Sequence, residues 1–555
     1  MKKWLSCLLV LFLLAGSFAL AESPAAPQKN LIILYTSDVH CAITKGWGYA
    51  GVKAMKTALE QEYDVLLVDD GDHYQGEAAG TLTSGEAILT VMNSMGYDVA
   101  IPGNHDFDYG VDHLLELVSK ANFPYICCNF FRDGIQVFPS YLVKEIGGRK
   151  IGFVGVTTPE TLRAANPKYF WNDKGEFNCD FLGDETGEKL YAAVQKAVDD
   201  VTAEGVDYVI LLAHLGNEDE CKPFTYADVI SHTTGITAVL DGHSHDIEQV
   251  TMKNKDGKDV VRTACGTKLA FVGALTINTD GKVSSELYPW GASLPAPELL
   301  GLKNVTENTV EAVNQEISKV TSKVIGKTSV DLTIMDPKAK DENGAPIRIV
   351  RRSETNMADL VADAYLSQSG GADIVIINGG GVRSSIKAGD ITMGDLLAVQ
   401  PFSNSLSVIQ ITGQQILDML EWGVHSMPNE FPGFPQVSGM TYEVDPSIPS
   451  PCVQDNNGMF DHVDDKAERR VRNVLIGGAP LDSEKTYKLC GVDYMLLSFG
   501  DGYAMLKDCP ILIKDVVVDN QAVINYLTSL PDGALTEKYG NPYGDGRIVS
   551  VAPAQ

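Results

Sequence analysis

The sequence predicts an α/β protein of two large domains joined by a helical linker, and three observations predict it. At 555 residues the chain exceeds what one core organises at ~100–200 residues per domain. In its first half, short apolar runs alternate with stretches of helical spacing, the pattern of helices layered on sheets. Between residues 293 and 328 that alternation breaks at Pro295 and Pro297 and gives way to a helical period with no strand beside it.

Taken in order, residues 1–21 read as an export leader. Lys2 and Lys3 are followed by an apolar run over 8–14 and by Ala19-Leu20-Ala21, a small-x-small cleavage pattern before Glu22. The run is too short for a span of ~20 residues, and no cysteine follows it to carry a lipid, so stable membrane insertion is not expected. Residues 22–28, rich in Ala and Pro, read as a disordered leader to the first domain, 29–295. There 31–34, 65–68, 99–101, 151–156, 206–212 and 236–240 read as buried strands, and 51–60 and 189–200 as helices. The linker helix falls in 296–326, with its period over 305–324. In the second domain, 327–552, the spacing predicts helices over 354–369 and 413–424 and strands over 373–377, 471–476 and 488–492. The acids of 455–469 lack calcium-loop spacing, so that stretch reads as a solvated loop.

A formal net charge of −29 argues against nucleic acid polymers or anionic membranes bound through a broad basic face. A small anion in one cleft remains compatible, because metal ions and a few arginines invert the field locally. Of the ten cysteines, Cys7 lies in the leader, and the odd number left has no CxxC pair. Export permits disulfides without specifying a pairing. Oligomeric state has no signature in the sequence.

Five first-half strands lead into residues able to hold metal. Asp38 and His40 follow the first and Asp72 the second; Asn104 and His105 follow the third. His214 ends the strand at 206–212, and His243 and His245 follow the last. The carboxyl ends of strands are where α/β folds gather ligands, so these residues should converge. Two carboxylates, an amide and four imidazoles suit a pair of borderline divalent ions: manganese or zinc foremost, with cobalt, iron or magnesium also compatible. A carboxylate bridging two ions ~3.5–4 Å apart would favour a hydroxide nucleophile for in-line attack on phosphorus. His73 and His232 complete no motif and read as core or surface histidines.

The runs Asp38-Val39-His40, Gly71-Asp72, Gly103-Asn104-His105-Asp106, Ala213-His214 and Gly242-His243-Ser244-His245 resemble the five motifs of calcineurin-like metallophosphoesterases. The resemblance implies a four-layer α/β/β/α domain. It also implies one ion on Asp38, His40, Asp72 and His245, and a second on Asp72, Asn104, His214 and His243. His105 would act on the transferring phosphoryl group or the leaving oxygen, oriented by Asp108.

In the second half, Asn378-Gly379-Gly380-Gly381-Val382-Arg383 follows a strand, and its glycines let backbone approach a ligand closely. With Arg351 it offers two arginines and an amide for a phosphate or carboxylate. Together with Gln400-Pro401-Phe402-Ser403-Asn404 and Gly500-Asp501-Gly502-Tyr503, these stretches resemble the C-terminal mixed α/β domain of 5'-nucleotidases, in the form found in bacterial periplasmic enzymes that also take UDP-sugars. The resemblance implies that Arg351, Asn378, Gly380 and Arg383 bind phosphate or ribose oxygens. Phe402 would stack on the base with Asn404 near its edge, and Asp501 would receive the ribose hydroxyls. The family's second stacking aromatic stands six residues before the aspartate, which here is Met495; a one-residue insertion would give the role to Tyr494. Phe499 also replaces a usual glycine.

The expectation is an exported, periplasmic or extracellular phosphoesterase acting on nucleoside 5'-monophosphates, extending to nucleotide diphosphates or UDP-sugars. The helix over 305–324 would flank the hinge that the family's domain rotation uses. The alternatives are a 2',3'-cyclic-nucleotide 2'-phosphodiesterase/3'-nucleotidase, and a catalytically silent nucleotide-binding surface protein.

Overall fold

The computed structural model describes residues 28–551 apart from 173, 175, 219–220, 293–303, 341–343, 345, 456–457 and 536. The export leader and the expected boundary at 295/296 lie outside the described residues. Among those residues no helix is long and apolar enough to cross a membrane.

Period-2 alternation builds the first half. On the strand Leu31–Thr36, Leu31, Ile33 and Tyr35 point into a core between two sheets, while Ile32 and Leu34 point outward to helices. The first sheet runs Val283–Pro289, Phe271–Ile277, Leu31–Thr36, Asp64–Asp69, Val99–Ala100; the second runs Ile247–Lys253, Asp259–Cys265, Ala238–Asp241, Tyr208–His214, Arg149–Thr157, Tyr141–Ile146. Ile33, Val68 and Ile101 meet Phe153, Ile210 and Leu240 between them. Val52 and Met55 of the helix Gly48–Leu59 cover the outer face of one sheet. Val194 and Val198 of Glu188–Ala203 cover that of the other. The result is the four-layer α/β/β/α arrangement. Leu31–Thr36, Asp64–Asp69 and Val99–Ala100 run parallel, as do Tyr208–His214 and Ala238–Asp241, so their carboxyl ends open on one side.

The helix Val305–Thr321 is capped by Asn304, whose side chain accepts from the Glu307 amide. It leans on the first half: Val310 is buried there, and Thr306 Oγ1 donates to the Ser94 carbonyl at 3.0 Å. The helix is shorter than its sequence period. Val324 opens the strand Val324–Thr328, which pairs with Gly389–Thr392, a conformation its β-branched side chain favours.

In the second half a five-stranded sheet runs Pro435–Ser438, Ile374–Asn378, Thr486–Val492, Leu406–Thr412, Ile511–Ile513, with the helices Asn356–Gln368 and Gly413–Gly423 packed into its core. The stretch 455–469 departs from expectation. Phe460–Val463 pairs with Cys452–Gln454 as a hairpin, because Phe460 and Val463 are buried while the polar residues between them face out. None of the nine described cysteines is in a disulfide, and all but Cys452 are buried.

Candidate active site

The loops after the parallel strands are tied into one frame. The Asp38 amide donates to the Gly71 carbonyl at 3.0 Å and the His40 amide to the Asp72 carbonyl at 2.9 Å. Asp106, quoted in a motif but given no role from sequence, is the clasp. Its carboxylate accepts from the amides of Asp72, His73, Tyr74 and Gly103 at 2.9–3.0 Å, binding the Asp72 loop to the Asn104 turn.

All seven candidate ligands converge. His40 Nε2 lies 3.1 Å from His245 Nε2 and 3.7 Å from an Asp72 oxygen, and His245 Nε2 lies 3.5 Å from Asp38. Asn104 Oδ1 is 3.2 Å from His214 Nε2 and 2.9 Å from His243 Nδ1; His214 Nε2 is 3.3 Å from Asp72. Asp38–His40–His245 and Asp38–Asp72–His214 each form a group able to hold an ion.

The donor set fits divalent cations. Two donors at ~2.0–2.2 Å from an ion stand ~3–3.5 Å apart, the spacing found here. His40 Nδ1 faces the Gln75 carbonyl at 3.0 Å and His214 Nδ1 the Asp70 carbonyl at 2.7 Å, so each donates there and turns a bare Nε2 inward. Without a cation the cluster is electrostatically frustrated. Burial pushes the Asp38 carboxyl up to about 7, presses His243 down to about 4, and holds His40 well below its ordinary value. His214, against the lowering effect of burial, is raised to about 10 by Asp72 and Asp38. A dication reverses that logic by favouring ionised carboxylates and neutral imidazoles. Asp38, His40, Asp72, His243 and His245 also hold left-handed φ between 46° and 82°, strain of the kind that gathers at functional sites.

His105, at the edge of this cluster, is half-buried; its Nδ1 lies 2.7 Å from Asp108 Oδ2, and its backbone amide donates to Asp72 Oδ1 at 2.8 Å. His73 is a core histidine held between Asp69 and Tyr125, and His232 stacks on Tyr191 at the surface.

A cavity of about 520 Å³ lies between the halves. One wall carries Asp72, Asn104, His105, His243 and His245; the other carries Arg351, Asn378, Gly380, Arg383, Phe402, Asn404, Tyr494 and Asp501. Every substrate-side residue singled out in the sequence lines it. Arg163, Lys168, Glu160, Glu218 and Arg348 also line it, and sequence reasoning missed them because none stands in a recognisable motif: Arg163 and Lys168 lie on short helical turns and Arg348 ends a three-residue strand. Among the described residues, Lys168 is paired with Asp493 at 2.8 Å, Arg348 with Glu430 at 2.9 Å and Arg163 with Glu160, whereas Arg351 and Arg383 have no carboxylate within salt-bridge distance. Burial first, then neighbouring arginines, lowers Arg351 to about 10 and Arg383 to about 9, a penalty that a bound anion relieves.

Phe402 is half-exposed, 5.8 Å from the His105 ring and 5.8 Å from the Arg383 guanidinium carbon. Met495 is fully buried in the core while Tyr494 forms cleft wall, its hydroxyl donating to the Arg163 carbonyl at 2.9 Å and accepting from the Asp501 amide at 3.1 Å. Asp501 Oδ2 accepts from Asn378 at 2.8 Å. The glycine run serves the fold as well as the cleft: a side chain at Gly379 would collide with the Val350 carbonyl, and ones at Gly380 and Gly381, which line the cavity, would press on Pro432 and on Asn378 Oδ1. Phe499 takes a left-handed φ of 60° and sets its ring 6.1 Å from Trp171 of the first half.

Comparison with known proteins agrees with this geometry. Residues 31–246 match the calcineurin-like phosphoesterase family and residues 324–508 the 5'-nucleotidase C-terminal domain family. The chain is 30% identical to a snake venom 5'-nucleotidase of Gloydius brevicauda, covering 90% of this chain and 86% of that one. It is 28% identical to a 5'-nucleotidase of Vibrio cholerae over 95% of each. Among solved structures, a 5'-nucleotidase precursor from Thermus thermophilus aligns with a TM-score of 0.75 at 26% identity, covering 94% of this chain and 99% of that one. Two family models that together span most of the chain, and a relative 30% identical over nearly its whole length, show that the chain belongs to the 5'-nucleotidase family of metal-dependent phosphoester hydrolases.

Proposed function

We propose that the protein is an exported two-metal phosphoesterase that converts nucleoside 5'-monophosphates to nucleoside and phosphate, with nucleotide diphosphates or UDP-sugars as further substrates. The observation that carries this reading is the shared cavity, with the candidate metal ligands on one wall and, on the other, beside aromatic rings, two arginines that have no carboxylate partner among the described residues.

Asp38, His40, Asp72 and His245 would hold one ion, and Asp72, Asn104, His214 and His243 the second. Bound divalent ions supply Lewis acidity and a nucleophile at neutral pH. Arg351 and Arg383 bind the anionic oxygens, each through a planar fork of donors. Phe402 and Tyr494 receive the base, stacking that tolerates different bases and so fits a broad nucleotide range. Asp501, held by Asn378, accepts from the ribose hydroxyls. His105, oriented by Asp108, donates a hydrogen bond to the transferring phosphoryl group or a proton to the leaving oxygen. The leader pattern at residues 1–21 supports release to a periplasm or the cell exterior.

Phosphate release from 5'-AMP, measured after chelation and again after restoring manganese or zinc, tests the reading, with 3'-AMP and 2',3'-cyclic AMP in parallel. Metal-restored turnover fastest on 5'-AMP is expected. Faster turnover of the cyclic or 3' substrate would replace it with the cyclic-phosphodiesterase assignment, and metal uptake without turnover on any of them with a binding protein.

A further inference from the structure

His243 and His245 sit on a single loop, residues 242–246, that leaves the strand Ala238–Asp241 and enters Ile247–Lys253. Those strands are not neighbours. Asp259–Cys265 lies between them, parallel to the first and antiparallel to the second, so the loop arches over the end of the intervening strand. Both histidines on the arch hold left-handed backbone, φ 82° and 57°, which persists only where surrounding structure over-determines it.

The intervening strand supplies that constraint through Arg262, whose side chain is fully buried. Its Nε and Nη2 donate to Asp241 Oδ2 at 3.2 and 2.8 Å, and its Nη1 and Nη2 donate to the two Asp246 oxygens at 2.5 and 3.0 Å. Asp241 is the residue before the arch and Asp246 the last residue of it. The other Asp241 oxygen accepts from the amides of Leu215 and Gly216 at 3.0 and 3.3 Å, immediately after His214. The Tyr226 ring lies 4.1 Å from the guanidinium carbon, and Glu248 takes a further bond from Nη1 at 2.8 Å.

We propose that Arg262 is a positioning residue for the metal centre, bracketing both ends of the loop that carries His243 and His245 and, through Asp241, the segment behind His214. Three imidazoles are thereby aimed before an ion arrives. The inference rests on the reading of those imidazoles as metal ligands. Only a planar fork spans both carboxylates at once, so a lysine keeps the charge and loses the bracket.

The test uses the full-length metal-free protein and two readouts: zinc affinity by competition with a chromophoric chelator, and the visible absorption of the cobalt-loaded form. Wild type is compared with Arg262→Lys, Asp246→Asn and Glu248→Gln, and the melting of each metal-free form is recorded. Outer partners of metal ligands are worth about 10–100-fold in affinity. A loss of that size for both ions, since His245 serves one and His243 and His214 the other, is expected in Arg262→Lys and Asp246→Asn, with an altered cobalt band. Glu248→Gln, which touches Arg262 from beyond the arch, should bind as wild type does. Asp246 is 20% exposed, so its variant carries the test if Arg262→Lys does not fold. Wild-type affinity and spectrum in Asp246→Asn would overturn the positioning role, whereas a wild-type protein that takes up no divalent ion would overturn the ligand assignment itself.

Discussion

At the scale of single residues, the His105–Asp108 contact at 2.7 Å makes a sharp prediction. Asp108→Asn keeps the shape but removes the carboxylate that fixes the ring's tautomer and orientation. On 5'-AMP, kcat should fall about 10²-fold or more with little change in KM, since proton transfer by a positioned side chain supplies about 10²–10⁴; steady-state kinetics at matched metal content checks it. Phe402→Ala should instead raise KM, because base stacking is worth about 1–3 kcal/mol. An unchanged KM would assign Phe402 to packing against His105 and Arg383. The candidate metal ligands were legible because each stands after a strand within a short motif. Tyr494 was legible only as one of two adjacent candidates, and burial of Met495 separates them. Arg262 was invisible, because its partners at Asp241 and Asp246 become neighbours only through a strand order that linear spacing does not encode.

At the scale of elements, the core of the second half is pinned by one carboxylate. Asp363, on the helix Asn356–Gln368, accepts a two-pronged pair from Arg547 at 2.9 and 3.0 Å, with further bonds from Ser438, Tyr539 and Lys538. Against the raising effect of burial, these donors, Arg547 foremost, hold its carboxyl down to about 2. The folded pKa lies below the ordinary 3.8, so the stabilisation is complete above about pH 4 and is lost as pH falls toward 2. Asp363→Asn should cost about 3 kcal/mol at pH 7. In urea titrations the gap between variant and wild type should close between pH 4 and 2, and a gap independent of pH would show that shape rather than charge is at stake. Helix and strand identities were mostly readable from sequence. Where they were not, as at Val324 and in the Phe460–Val463 hairpin, pairing with a distant strand overrode the local pattern.

At the scale of the whole molecule, the two halves have separate cores but share one cleft. Under the proposed ligand assignment, metal binds the folded first half and not the unfolded chain, so chelation should lower that half's melting transition. An ion at a hundred times its dissociation constant contributes about 2.7 kcal/mol, a shift of roughly 5–10 °C for a unit of this size. Calorimetry with and without chelator should show the second half's transition unmoved; equal shifts in both would mean that the halves unfold as one.

The buried, unbridged thiols give this chain a set of internal clocks. Burial raises the Cys127 thiol to about 11 and Cys490 to about 12, so neither reacts while its surroundings stay closed. Each can be modified only when its own stretch of chain breathes open, and the rate at which a thiol reagent labels it measures how often that happens. Cys41, next in sequence to His40 and donating to the His73 carbonyl, times the metal loop; Cys490 times the central strand of the other half. Adding metal should slow the first clock and leave the second running at its own pace.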